Sequence, residues 1–355
     1  DPSQWDGKTK TQPTQSDGVY QIGTAAELKW FADAVKGDAA IRGVLTANID
    51  LNNRNWTPVA GFTGSLDGKG FEIRNFYCKN LMGAAALFLD NSGEIRDLTL
   101  SGKVIGGDNT AMLVSANQGT ITGCTIKGSV AGGNYTAGLA AVNTGAITGC
   151  TNEAGISGAQ YVGGISGQNK GTKDSAARIE SCVNLGMIQA SGFMAGGITG
   201  DNDGYGESFD HATVKNCASS GHVVSTAAVM QAYVGGIIGR NNGVGQNLYN
   251  EGNVEAVGGC VSGTVGRTLS KATSDNTYNT ADVTGGDYED DGYPTDDAVS
   301  TETELAQAKR TMGQVLDRLP QRETISGSLT MEGKAAVEAT VRANYTGEET
   351  GLVYV

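Results

Sequence analysis

Apolar residues in this chain come mostly in short runs cut by Gly, Asn, Ser and Thr, as in AITGC, ISGAQYVGGISG and VKNCASSGHVV. Such runs, alternating or β-branched and bounded by turn formers, predict short strands. One apolar position recurs at Leu87, Leu113, Leu139, Ile165, Ile198 and Ile237. An Asn follows each time, at Asn91, Asn117, Asn143, Asn169, Asn202 and Asn241, and the first three Asn intervals are 26 residues each. A third series reads Phe76, Leu98, Cys124, Cys150, Cys182, Cys217, Tyr249 and Tyr278. From an Asn to the next member of that series the count is 7, 7 and 7, then 13 and 15, then 8. A constant short segment with two local insertions is how a coil of strands accommodates loops.

This period, with three short strands in each repeat, predicts an all-β fold: a right-handed parallel β-helix with coils of about 26 residues. Roughly eight coils would stack about 4.8 Å apart. Leucine-rich repeats share the period but need Asn in an LxxN context, which is missing. In a β-helix equivalent side chains form ladders, so the recurring Asn would chain their amides up the stack. The paired Gly in TAGLAAVNTG, YVGGISGQNKG, MAGGITGDNDG and YVGGIIGRNNG would permit tight bends and close backbone approach. Leu, Ile and Cys would fill the interior. Cys124, Cys150, Cys182 and Cys217 share a ladder position, where Cβ atoms about 4.8 Å apart are too far for a disulfide, so they read as buried thiols. Cys78 and Cys260 fall off this ladder, Cys260 standing where Tyr135, Tyr161 and Tyr233 stand in other coils.

The ends depart from the rhythm. Residues 1–17 are polar and read as a linker. Residues 18–75 read as an N-terminal cap and leading strands. There Thr24 and Glu27 form a capping-box pattern, Leu28, Phe31, Ala32 and Val35 share a helical face, and Gly37 ends the helix. Trp56 is expected in the cap core. Residues 76–285 carry the repeats, and 286–322 an acidic loop and a helix. That helix places Leu305, Ala308, Met312, Val315, Leu316 and Leu319 on one face and is expected to cap the C-terminal end. Residues 323–355 alternate as strands, too few to hold a core alone, and read as the start of a small β-sandwich-like domain cut short.

Composition narrows the partners. The 54 Gly among 355 residues argue against a helical bundle, and the Gly are not every third residue, so collagen is excluded. A formal charge of −13 argues against nucleic acid and anionic membrane surfaces. No apolar run is long enough to span a bilayer, so no membrane insertion is expected. Two His and no CxxC make zinc improbable, and no cofactor is expected.

The phrases YVGGISGQNKG, AGGITGDNDG and VGGIIGRNNG resemble the GLUG-type repeats of bacterial surface proteins, and GTAAELKWFADAV…NIDLNNRNWTPV…FTGSLDGKG is similar to the segment preceding them. The resemblance covers about residues 18 to 285. It implies an extracellular bacterial protein, secreted or wall-anchored. Some relatives of this kind are immunoglobulin A metallopeptidases, which need HExxH; that motif is missing, so the activity is not carried over.

Catalytic signatures are weak throughout. GGISGQ lacks the GK[ST] and following helix of a nucleotide loop. No GxSxG or Cys–His pattern occurs. The best carboxylates for a glycan-cleaving groove or a calcium loop are Asp201, Asp203, Glu207 and Asp210 in DNDGYGESFD, with Asp287, Glu289, Asp290 and Asp291 in a second acidic run. Both read better as solvated loops, so the chain is expected not to be an enzyme. The insertions after Asn169 (+6) and Asn202 (+8) fall at one turn of adjacent coils and should lie side by side. They carry Lys173, Asp174, Arg178, Tyr205, Glu207, Phe209 and His211, the candidate ligand-binding residues. A third insertion, near STAAVMQAY, exposes Val229 or Met230 at another turn. The partner expected is a host glycoprotein, immunoglobulin by the resemblance; a glycan-binding groove and a passive stalk are the alternatives.

Overall fold

A computed structural model describes residues 4–205, 210–286 and 299–320, together with the backbone of the strands Arg322–Leu329 and Val337–Asn344. The chain is mostly β, a parallel β-solenoid of about 10 turns with two short helices. The stack begins earlier than the repeats suggest. Strands Val19–Ile22, Arg42–Leu45, Ser65–Asp67 and Glu94–Arg96 already pair in parallel, rung on rung, so about ten coils stand where about eight were expected. The Thr14–Ser16 strand closes this end as an antiparallel hairpin with the first rung.

The Asn ladder forms as the spacing predicts. From Asn91 through Asn117, Asn143, Asn169 and Asn202 to Asn241, each Nδ2 donates to the next Oδ1 at 2.8 Å, and all six side chains are fully buried or nearly so. Buried amides are expensive unless paired, and the ladder pairs each with its neighbours. A second buried series runs Asn152–Asn184–Ser219, with Asn250–Asn279 further along. It explains the Gly pair. A Cβ on Gly164 would overlap the Asn184 side chain and the Gly197 carbonyl; one on Gly163 would strike the Ser166 carbonyl. Leu87, Leu113, Leu139, Ile165, Ile198 and Ile237 line the core.

The cysteine ladder holds from Leu98 to Cys217 and departs from the expected series at both ends, Phe76 facing Gly102 rather than Leu98. All six cysteines are free and buried. Burial pushes the Cys150 and Cys217 thiols up, and that of Cys78 to about 11, which keeps them protonated. Cys217 stacks on Leu248 and Leu248 on Thr277, so Tyr249 and Tyr278 are not in this ladder as expected. A one-residue shift turns a strand side chain to the other face. Ahead of each member from Leu98 onward stands a left-handed residue: Asp97, Gly123, Gly149, Ser181, Asn216, Asn247 and Asn276. All but Ser181 are residue types that tolerate positive φ.

Helix α1 spans Ala25–Ala34 and starts as predicted: Thr24 accepts from Glu27 N, and Glu27 accepts from Gly23 N. Leu28, Phe31, Ala32 and Val35 are buried, and Phe31 meets Phe62, which stacks on Phe88. Trp56 is 3% exposed and donates to Leu87 O. Helix α2 spans Glu302–Leu316, with a capping box between Thr301 and Glu304. It does not cap the end. It lies along the flank and packs on the outward row Val183, Ala218, Tyr249 and Tyr278. The misplaced tyrosines are thus its seat. Beyond α2, Arg322–Leu329 pairs antiparallel with Val337–Asn344.

Candidate functional site

Both insertions leave the solenoid just after a rung of the Asn ladder, Asn169 on Asn202. They lie side by side, as their spacing predicts. Gly171 N donates to Asp203 O, and Ala177 N to His211 O. His211 Nδ1 sits 2.8 Å from Thr172 O; a carbonyl only accepts, so this nitrogen carries the proton. On its other side the first insertion is tied to the preceding coil, Ser175 Oγ donating to Thr144 O at 2.7 Å. Tyr205 is half exposed and its ring lies 6.2 Å from that of His211, nearly parallel. Asp210 stands 3.9 Å from His211 Nε2.

Of the predicted binding residues, the structure therefore brings Tyr205 and His211 together over Thr172. Lys173 and Asp174 form an exposed ion pair with each other at 2.7 Å, which contributes little to stability. Arg178 is exposed, but it belongs to the strand Ala177–Glu180, between Ala146 and Thr213, rather than to the loop. Glu207 and Phe209 lie outside the described residues, as do Asp287, Glu289, Asp290 and Asp291. The third insertion exposes both Val229 and Met230.

Of the candidate carboxylates in the described residues, Asp201 and Asp203 are each tied to neighbours on the stack. Asp201 is fully buried, bound by Arg240 through two bonds of 2.8 Å and by Gln168 at 3.0 Å. Burial raises its carboxyl above the ordinary range, against the pull of Arg240 and Gln168. Asp203 accepts from Asn242. Among the described residues no group of three or more His, Cys, Asp and Glu is placed to hold a metal.

One constellation escaped the sequence reading. Beyond Asp90, the row just before the ladder Asn runs Ala116, Val142, Gln168, Asp201, Arg240, and turns from small and apolar to paired charges. Beside it Tyr135 and Tyr161 stack with rings parallel and 4.5 Å apart, and Arg267 lies over Tyr233 while donating to its hydroxyl. Burial raises the Tyr135 phenol, with Tyr161 and Asp201 adding to it. Opposite charges on successive coils at one ladder position were the available signal. Asp201, Gln168 and Arg240 are bound to one another, and Arg267 to Tyr233, so the strip locks the turn.

Comparison with family models returns no match, and comparison with curated proteins returns none. Among solved structures the chain is similar to that of a candidate immunoglobulin A1 protease from Bacteroides ovatus. The two share 17% identity with a TM-score of 0.59, over 93% of this chain and 95% of the other. A likeness at that identity concerns the fold: both chains are built on the same β-solenoid plan.

Proposed function

We propose that this chain is a non-catalytic, adhesin-like module of a bacterial surface or secreted protein, and that its paired insertions bind a host glycoprotein, with immunoglobulin A the first partner to test. The observation that carries the reading is the Tyr205–His211 pair, held over Thr172 by bonds between two coils, with Tyr205 half exposed. An aromatic on a loop fixed by a rigid scaffold loses little freedom on binding, which favours it as an anchor. The GLUG-like phrases and the description of the Bacteroides ovatus neighbour support the partner class. The extracellular setting rests on the same two resemblances.

The test is binding of purified immunoglobulin A to the immobilised chain. Tyr205→Ala with His211→Ala is expected to weaken it by about tenfold or more. Equal affinity in the double variant removes the site. Fragmentation of the immunoglobulin on incubation with the wild-type chain overturns the non-catalytic reading.

A further inference from the structure

The first four coils carry a groove remote in sequence from the insertions. Strands Val19–Ile22, Arg42–Leu45, Ser65–Asp67 and Glu94–Arg96 stack in parallel, and their outward side chains with the Asp17 turn line a cavity of about 410 Å³. One row across it is Arg42, Ser65, Glu94; the next is Gln21, Val44, Asp67, Arg96. Most charges here are spent on one another. The Asp67 side chain, only 9% exposed, takes Arg96 at 2.7 Å and Lys69 at 3.4 Å, and Glu94 lies 3.6 Å from Arg96.

Arg42 is different. It donates from Nη2 to Asp17 O at 3.0 Å, and no carboxylate of the described residues lies within ion-pair range of it. Its guanidinium keeps most of its five donors for the cavity. In a chain of net charge −13, a cation on a cavity wall without an acidic partner marks where an anionic group can approach.

We propose that this groove binds a carboxylated sugar unit of the uronic-acid type. Arg42 takes the carboxylate as a bidentate pair, and Ser65, Gln21 and Glu94 pair with ring hydroxyls. The rungs repeat about every 4.8 Å, the scale of one sugar ring, so donors and acceptors from successive coils match successive substituents. The lining holds no aromatic and no apolar side chain larger than Val19 and Val44, so it lacks the anchor a peptide side chain requires. This site is separate from the loops of the proposed function.

The probes are D-glucuronate and D-glucose, titrated into the full chain and followed by amide chemical shifts and calorimetry. Glucuronate is expected to move resonances of Arg42–Leu45 and Ser65–Asp67 saturably, and glucose to bind at least about tenfold more weakly. Arg42→Ala should cost about tenfold or more, Arg42→Lys should recover part of that, and Tyr205→Ala should change nothing. Arg42 is exposed, so an unchanged melting temperature is expected and separates lost binding from lost folding. Absence of saturable shifts at these strands overturns the proposal, as does undiminished affinity in Arg42→Ala. Equal competition by acetate, or by a glutamate-rich peptide, reduces the groove to a simple anion or peptide site and also overturns it.

Discussion

One outward row of the solenoid is two surfaces. It begins Thr99, Thr125, Thr151 and continues Val183, Ala218, Tyr249, Tyr278, all in one unbroken register. The backbone is the same in both halves. The threonines are half-buried and lie on the part that α2 leaves bare, whereas the second half is apolar and lies under Ala308, Met312, Val315 and Leu319. A helix of 15 residues is about 22 Å long, enough to cover the four spacings of about 4.8 Å from Tyr278 back to Thr151. The strap therefore ends where the row turns polar. There Arg318 donates to Ser181 O at 2.6 Å, Cys150 O at 2.7 Å and Thr151 Oγ1 at 2.5 Å, binding the strap to the last covered coils. Composition of the row, rather than strand geometry, decides which coils carry a second layer.

The most severe way to break this contrast is to place one charge in each half. Ala218→Asp buries a carboxylate in the apolar cluster of Val183, Val315 and Leu319, and should destabilise the chain by about 3 kcal/mol or more. Thr125→Asp, on the bare half, should stay within roughly 0.5 kcal/mol of wild type. Denaturant midpoints with unchanged m-values would measure both. Similar losses at the two positions would show that α2 contributes nothing to the difference.

Removing the clasp should have a smaller and more local effect. Arg318→Ala gives up charged donors to three carbonyls and one hydroxyl, a loss of about 1.5 to 3 kcal/mol to the docked helix. Arg318→Lys should regain only part, because an ammonium cannot span both Ser181 and Cys150 as the planar fork does. Amide exchange should accelerate across Glu302–Leu316 while the amides of the Thr120–Thr122 and Thr125–Ala131 strands stay protected. Uniform acceleration along the chain would mean that helix and solenoid open as one unit.

How much of this was legible in the sequence differs between the two halves of the fold. The inward ladders announce themselves, because a narrow core repeats its demand for Asn and Leu or Ile in every coil. The insertions are legible for the same reason, since they interrupt a constant count. The register at Tyr249 and Tyr278 was misread because a Tyr in NLYN looks like a substitute for the Cys in VKNC. Leu248 stands 7 residues after Asn241, the spacing of the regular coils, and a left-handed Asn247 precedes it as Asn216 precedes Cys217. The outward surfaces are harder. Nothing in one repeat says whether an apolar outward residue faces water, a partner or its own chain. The flank position of α2 becomes visible only when Val183, Ala218, Tyr249 and Tyr278 are aligned. The Asp201–Arg240 pair likewise joins residues 39 positions apart, and neither is unusual alone.

The finest test of the comparison is acidity, because the strap begins on a titrating cap and the bare half does not. Bonds from the Thr301 backbone N–H and then its hydroxyl hold the Glu304 carboxyl below its ordinary value of 4.5. A carboxyl whose folded pKa is lowered contributes stability that is fully present above its unfolded value and is lost as pH falls through the folded one. The start of α2 should therefore be fully capped above about pH 4.5 and loosen as the pH drops below it. Glu304→Gln keeps an acceptor for Thr301 but cannot titrate. Amide exchange or carbonyl shifts of the first turn of α2, followed between neutral and acid pH, should show a transition in the wild type and none in Glu304→Gln. The group is exposed, so the effect should remain within the first turn and leave the denaturant midpoint of the solenoid unmoved. A transition of equal size in the variant would assign the acid response to another carboxylate and detach it from the strap.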